Sequence, residues 1–113
     1  MSKRIHVLML GALGVAAGSA IAHQGVENAA VQARMHNMME IVDDLKVMGD
    51  MAKGNRAFDV EMARSAAKDI ARHASETPSF FASNETDPKS EAKPVIWEKF
   101  GDFTAKSLSL IHI

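Results

Sequence analysis

Val31–Lys53 reads VQARMHNMMEIVDDLKVMGDMAK, and the spacing within it decides the fold. Val31, Met35, Met38, Val42, Leu45, Met48 and Ala52 recur at steps of three and four, the period at which one stripe of an α-helix faces a neighbour. No proline occurs from Val26 to Lys53, so one amphipathic helix of about seven turns is predicted across that range. Gly54 and Asn55 follow, residue types that adopt the left-handed conformation closing such helices. The apolar face is wide, because Ile41, Val47 and Met51 flank the main stripe. A face of that width predicts a further cover, either another helix, a second copy of the chain or a ligand.

Downstream, Asp59 is placed to cap a second helix, with Glu61 in its first turn and Val60, Ala63, Ala67, Ile70 and Ala74 as its expected buried stripe. Pro78 is expected to end that helix. The polar connection from Ser79 to Ser90 holds Phe80, Phe81 and Pro88, with Asn84-Glu85-Thr86-Asp87 as its turn-forming middle. A third helix is expected to start between Ser90 and Pro94, its apolar face made by Ile96, Phe100 and Phe103 with Trp97 alongside. No alternating strand pattern longer than four residues and no internal repeat is present. Short connections between long amphipathic helices make antiparallel neighbours, hence an up-and-down bundle.

Upstream, Lys3 and Arg4 precede an apolar run from Val7 to Ala17, and Ala20-Ile21-Ala22 supplies the small-x-small pattern of a cleavage site. Residues 1–22 are read as a secretory leader, removed on export to a bacterial periplasm. The run is too short to span a bilayer, so no membrane association is expected once the leader is gone. The 113 residues contain 13 basic and 14 acidic side chains, which leaves no electrostatic footprint for nucleic acid. There is no cysteine, so a disulfide framework and a thiolate metal site are excluded. Catalysis has little support, since no phosphate-binding glycine loop, activated nucleophile or His-Glu-x-x-His pattern occurs. Asp43 and Asp44 are adjacent and read as a solvated face, not a facing pair of carboxylates.

Arg34 and Met38 within Ala33-Arg-Met-His-Asn-Met-Met39, then Met51-Ala-Lys-Gly54 leading to Phe58-Asp59, Ala66-Ala67, Ile70-Ala71, Phe80-Phe81 and Ala92-Lys93-Pro94-Val95-Ile96-Trp97 occur in a telling order, with Phe100 and Phe103 behind them. Together they resemble the first three helices of the cytochrome c prime family, exported four-helix haem proteins, and in particular its low-spin, methionine-ligated branch. The resemblance implies an all-α, antiparallel four-helix bundle of which three helices are present. It implies an electron carrier, not an enzyme, with haem c as cofactor, redox proteins as partners and a homodimer through the first helices. The family bonds its haem through Cys-x-x-Cys-His on a fourth helix, and none of His23, His36, His73 or His112 has cysteines at that spacing. The chain is therefore expected to be an N-terminal fragment that cannot attach haem covalently. Residues 23–107 form the expected family domain. Leu108-Ser-Leu-Ile-His-Ile113 breaks the helical stripe and back-translates to a sequence resembling a transposase end used in library preparation, so residues 108–113 are expected to be non-native.

By the same resemblance Met38 is the axial iron ligand of an intact protein, a soft thioether that favours reduced, low-spin iron. Its plainer reading is one of five methionines between Met35 and Met51 filling a core. Arg34, one turn earlier on the same face, is implied to reach the haem propionates; otherwise it is a surface arginine paired with a carboxylate. Trp97 is implied to pack on the macrocycle or simply in the core. A competing class is a helical binding module whose methionine-rich face takes a partner helix or soft copper. For such a metal only Met35, Met38 and Met39 converge, leaving His36 on another side of the helix.

Overall fold

The computed structural model describes residues 25–112, so the leader reading lies outside the described residues. Four α-helices occur there, α1 Ala29–Ala52, α2 Val60–Phe80, α3 Val95–Glu98 and α4 Phe100–Ser109, followed by a 3-10 turn at Leu110–His112. No strand occurs among the described residues. The fold is all-helical and agrees with a helical cytochrome bundle.

α1 starts at Ala29, three residues inside the proline-free range from Val26 over which a helix is predicted. Asn28 caps it, its side-chain oxygen accepting from the Val31 amide at 3.0 Å. The amides of Glu27 and Asn28 instead donate to the carboxylate of Asp87, at 3.0 and 3.1 Å. At its other end, Gly54 has φ +77°, its amide reaches the Met51 carbonyl at 3.2 Å, and the Asn55 amide reaches that of Asp50 at 2.9 Å. These are the two bonds of a Schellman motif, the role foreseen for Gly54 and Asn55. Asp59 caps α2 as expected, accepting from the amides of Glu61 and Met62, both at 2.9 Å.

α2 runs through Pro78 to Phe80, correcting the expectation that proline ends it. A proline at 78 has no N–H for the carbonyl of Ala74, four residues back. That carbonyl accepts from the hydroxyl of Ser107 on α4, at 2.7 Å. The orphaned acceptor is thus satisfied from another helix, and α2 continues.

The expected third helix is two. Its path breaks at Lys99 (φ −127°, ψ 50°), between α3 and α4. The break lets Trp97 donate its indole N–H to the Phe81 carbonyl at 2.8 Å while Phe103, on α4, sets its ring 4.7 Å from that of Phe81.

The packed faces are rotated from the expected stripes. On α1 the buried residues are Val31, Arg34, Asn37 and Ile41, whereas Met38, Val42 and Leu45 are 46%, 56% and 51% exposed. On α2 they are Ala66, Ile70, His73, Ala74 and Thr77, so Ile70 and Ala74 are inside as expected and Val60 and Ala67 are not. Hydrogen bonds explain the rotation. Asn37 donates to the His73 carbonyl at 3.2 Å and accepts from the Thr77 hydroxyl at 2.7 Å, so the polar side chains in the α1–α2 seam are paired across it. The broad apolar face read from the sequence therefore exists, but much of it is open.

Candidate functional site

Arg34 organises the region. It is only 4% exposed, correcting its alternative reading as a surface arginine paired with a carboxylate. Its Nε donates to the carbonyl of Phe80 (2.8 Å), Nη1 to that of Glu85 (2.7 Å) and Nη2 to that of Ser83 (2.6 Å). The guanidinium carbon lies 4.6 Å from the centre of the Phe81 ring and 5.3 Å from that of Trp97. One cation thereby fixes the turn after α2 and draws two aromatic rings around itself. Burial lowers the pKa of Arg34, and the negative charge of Glu85 opposes that shift.

The turn grips the start of α1 from the other side. Asp87 accepts from the amides of Glu27, Asn28 and Lys89, and the Glu85 carboxylate accepts from Ser83 Oγ at 2.7 Å and from Asn28 Nδ2 at 3.4 Å. Bonds from the backbones of Lys89, Asn28 and Glu27, in that order of effect, hold the Asp87 carboxyl below the usual carboxylate range. Glu85 is lowered chiefly by the hydrogen bonds from Ser83 and Asn28. Residue 25 favours glycine, because its φ of +83° is a backbone conformation that L side chains rarely adopt.

Between this turn and α1 opens a cleft of about 500 Å³. Val31, Arg34, Met35, Met38 and Met39 line it from α1; Phe81 and residues 89–92 close the opposite wall. Of the three site residues read from the sequence, Arg34 and Met38 share this cleft. Trp97 does not line it; it stands behind Phe81, the ring centres 6.3 Å apart.

A second cleft, of about 420 Å³, has His36, Glu40, His73 and Glu76 on its walls. Glu40 lies 3.4 Å from His36 Nε2 and 4.0 Å from His73 Nε2, and Glu76 lies 3.8 Å from His73 Nδ1. Arg72 Nη2 is 3.1 Å from His73 Nε2. Among the described residues, no three His, Asp or Glu side chains are grouped to hold a metal ion. Of the adjacent pair read as a solvated face, Asp43 is exposed and Asp44 partly buried, and the pKa of Asp44 is raised first by burial and then by Asp69.

Asp87, Glu85 and Ser107 were not legible as structural keys. The partners that tie them to the rest of the fold lie far along the chain, at Glu27 and Asn28 for Asp87, Asn28 for Glu85 and Ala74 for Ser107, and the only local signal was the turn chemistry of Asn84–Asp87.

A family model described as "Cytochrome C'" matches residues 29–112. The chain belongs to the cytochrome c prime family. Its similar relatives include proteins named cytochrome c-556: one from Agrobacterium tumefaciens strain B2A, 32% identical over 80 residues, and one from strain II Chrys, 30% identical over 80. Each match takes in 71% of this chain and 65% of the relative. A third cytochrome c-556, from Agrobacterium fabrum, is 33% identical over 80 residues that make up 54% of its length. The chain thus spans somewhat under two thirds of the relatives it matches. No solved structure matches.

The cofactor of this c-type cytochrome family is haem c. The residues present fit one side of such a group, with an apolar wall and a thioether opening onto the cleft. With no cysteine, the chain as it stands cannot bond haem covalently. Among the described residues no helix is long and apolar enough to cross a membrane.

Proposed function

We propose that the chain is the helical, haem-facing part of an exported single-electron carrier of the cytochrome c prime type, with Met38 presented to the iron. The observation that supports this reading is the place of Met38: on the packed end of α1, 46% exposed, on the wall of the larger cleft. Haem, when bound, supplies the one-electron couple. Met38 offers a soft donor that favours the reduced metal and raises the potential. Val31, Met35 and Phe81 provide an apolar wall that lowers the local dielectric. Arg34 borders the same cleft with its guanidinium held by three carbonyls, and its remaining N–H groups would be the ones to meet haem propionates; Trp97 acts through Phe81 by holding its carbonyl. The partners on this reading are redox proteins and a second copy across the open face of α1. The leader at residues 1–22 delivers the chain to the periplasm.

Titrating haem into the full chain tests this. Binding is expected, with visible bands that shift and an affinity that falls when Met38→Leu is introduced. Failure to bind haem, or a spectrum and affinity indifferent to Met38→Leu, overturns the reading.

A further inference from the structure

The larger cleft has a second chemical character that the haem reading does not use. Met35, Met38 and Met39 stand at i, i+3 and i+4, and all three line its α1 wall. His36, which interrupts them in sequence, lines the other cleft, beside Glu40 and His73. The helix thus sorts its donors, with thioethers on one side and imidazoles and carboxylates on the other.

We propose that Met35, Met38 and Met39 form a binding site for a soft monovalent cation, copper(I). Ligand softness selects the ion. Thioethers suit Cu(I), whereas Zn²⁺ takes thiolate, imidazole or carboxylate ligands and Mg²⁺ or Ca²⁺ takes oxygen. The chain has no cysteine, so no thiolate competes for the ion. The Phe81 ring and Val31 make the surroundings apolar, and the opposite charges of Lys89 and Glu91 offset one another on the facing wall, so ligand softness and not net charge selects the ion. The guanidinium of Arg34 also borders it, but its charge is directed at three carbonyl oxygens. The site shares this cleft with the haem reading, Met38 as a ligand in both and Met35 as wall in one and ligand in the other, so copper(I) and haem exclude one another.

The test uses the full chain without haem, anaerobically and under reductant, with Cu(I) delivered from a coloured chelator whose absorbance reports transfer. One equivalent is expected to leave the chelator. Met35→Leu and Met38→Leu, close to volume-conserving, are each expected to weaken binding at least tenfold while circular dichroism shows helicity retained. Met48→Leu and His36→Gln are expected to leave the affinity unchanged. No transfer to the wild-type chain overturns the proposal. So does a loss in His36→Gln as large as that in Met38→Leu, or an affinity that Met48→Leu lowers equally, because the copper then sits elsewhere or on scattered methionines.

Discussion

The hydroxyl of Ser107 donates to the carbonyl of Ala74 at 2.7 Å, and Ala74 is the residue whose helical partner is the missing amide of Pro78. Both ends of the bond are buried, Ala74 fully and Ser107 to 9% exposure. A proline that would otherwise weaken α2 becomes a fixed acceptor onto which α4 registers. Ser107→Ala is expected to destabilise the fold by about 1–3 kcal/mol, the cost of leaving a buried acceptor unpaired. Pro78→Ala restores an amide to that acceptor, so the same serine substitution made in the Pro78→Ala background is expected to cost clearly less. Urea midpoints for the four members of this cycle measure the coupling.

Arg34, on α1, holds the turn after α2 through three hydrogen bonds to its carbonyls. Arg34→Gln is expected to cost at least about 2 kcal/mol, since hydrogen bonds from a charged donor contribute about 1.5–3 kcal/mol each and three are lost. Arg34→Lys is expected to rescue little. A single ammonium cannot reproduce the planar fork that reaches three carbonyls and meets two rings. Trp97 is the sole tryptophan, so its fluorescence reports the opening of the turn directly.

How far the fold was legible follows the range of its interactions. Gly54 and Asp59 were readable because each acts on amides and carbonyls within a few residues, and helix ends are local chemistry. The family was readable too, from the order of short pieces spread over three helices. The packed face of α1 was not. Hydropathy favoured Met38, Val42 and Leu45, but Arg34 and Asn37 find carbonyl partners at Phe80, Ser83, Glu85 and His73, and those partners are visible only once the chain is folded. Pro78 misled for the same reason, its remedy lying at Ser107. For the site, the residue types at 34 and 38 were flagged and share one cleft, while the engagement of Arg34 with the backbone went unseen.

Two carboxylates give opposite dependences on pH. Asp87 has a folded pKa below its unfolded value, because it accepts three backbone amides. Its contribution is present above the unfolded value of about 3.9 and is lost as pH falls through the lower folded value. Asp87→Asn is expected to lower the urea midpoint at pH 7 and to flatten its decline in acid.

Asp44 works in the other direction. Burial and Asp69 raise its folded pKa, so the protonated form is favoured and any stability it contributes is lost as pH rises through that raised value. At pH 7 it is an ionised carboxylate beside others. Asp44→Asn is expected to raise the thermal midpoint at pH 7 and to change it less at pH 3, below the raised value of Asp44. A gain of equal size at the two pH values would point to an uncharged cause.

The rotation of α1 is open to the most direct check, because two neighbouring aliphatic residues exchange their expected roles. Ile41 is 4% exposed and Leu45, one turn later, is 51% exposed, although the sequence period places Leu45 in the main stripe and Ile41 at its flank. Truncating a buried isoleucine to alanine removes transferred surface and leaves a cavity, for about 2–5 kcal/mol. Truncating an exposed leucine costs within about 0.5 kcal/mol. Ile41→Ala is therefore expected to lower the urea midpoint sharply and Leu45→Ala to leave it nearly in place. If a second copy covers the open stripe, as the proposed function holds, Leu45→Ala also becomes costly at high protein concentration and harmless on dilution. A stability for Leu45→Ala that depends on concentration thus marks association through α1, whereas a large cost at every concentration would return Leu45 to the interior.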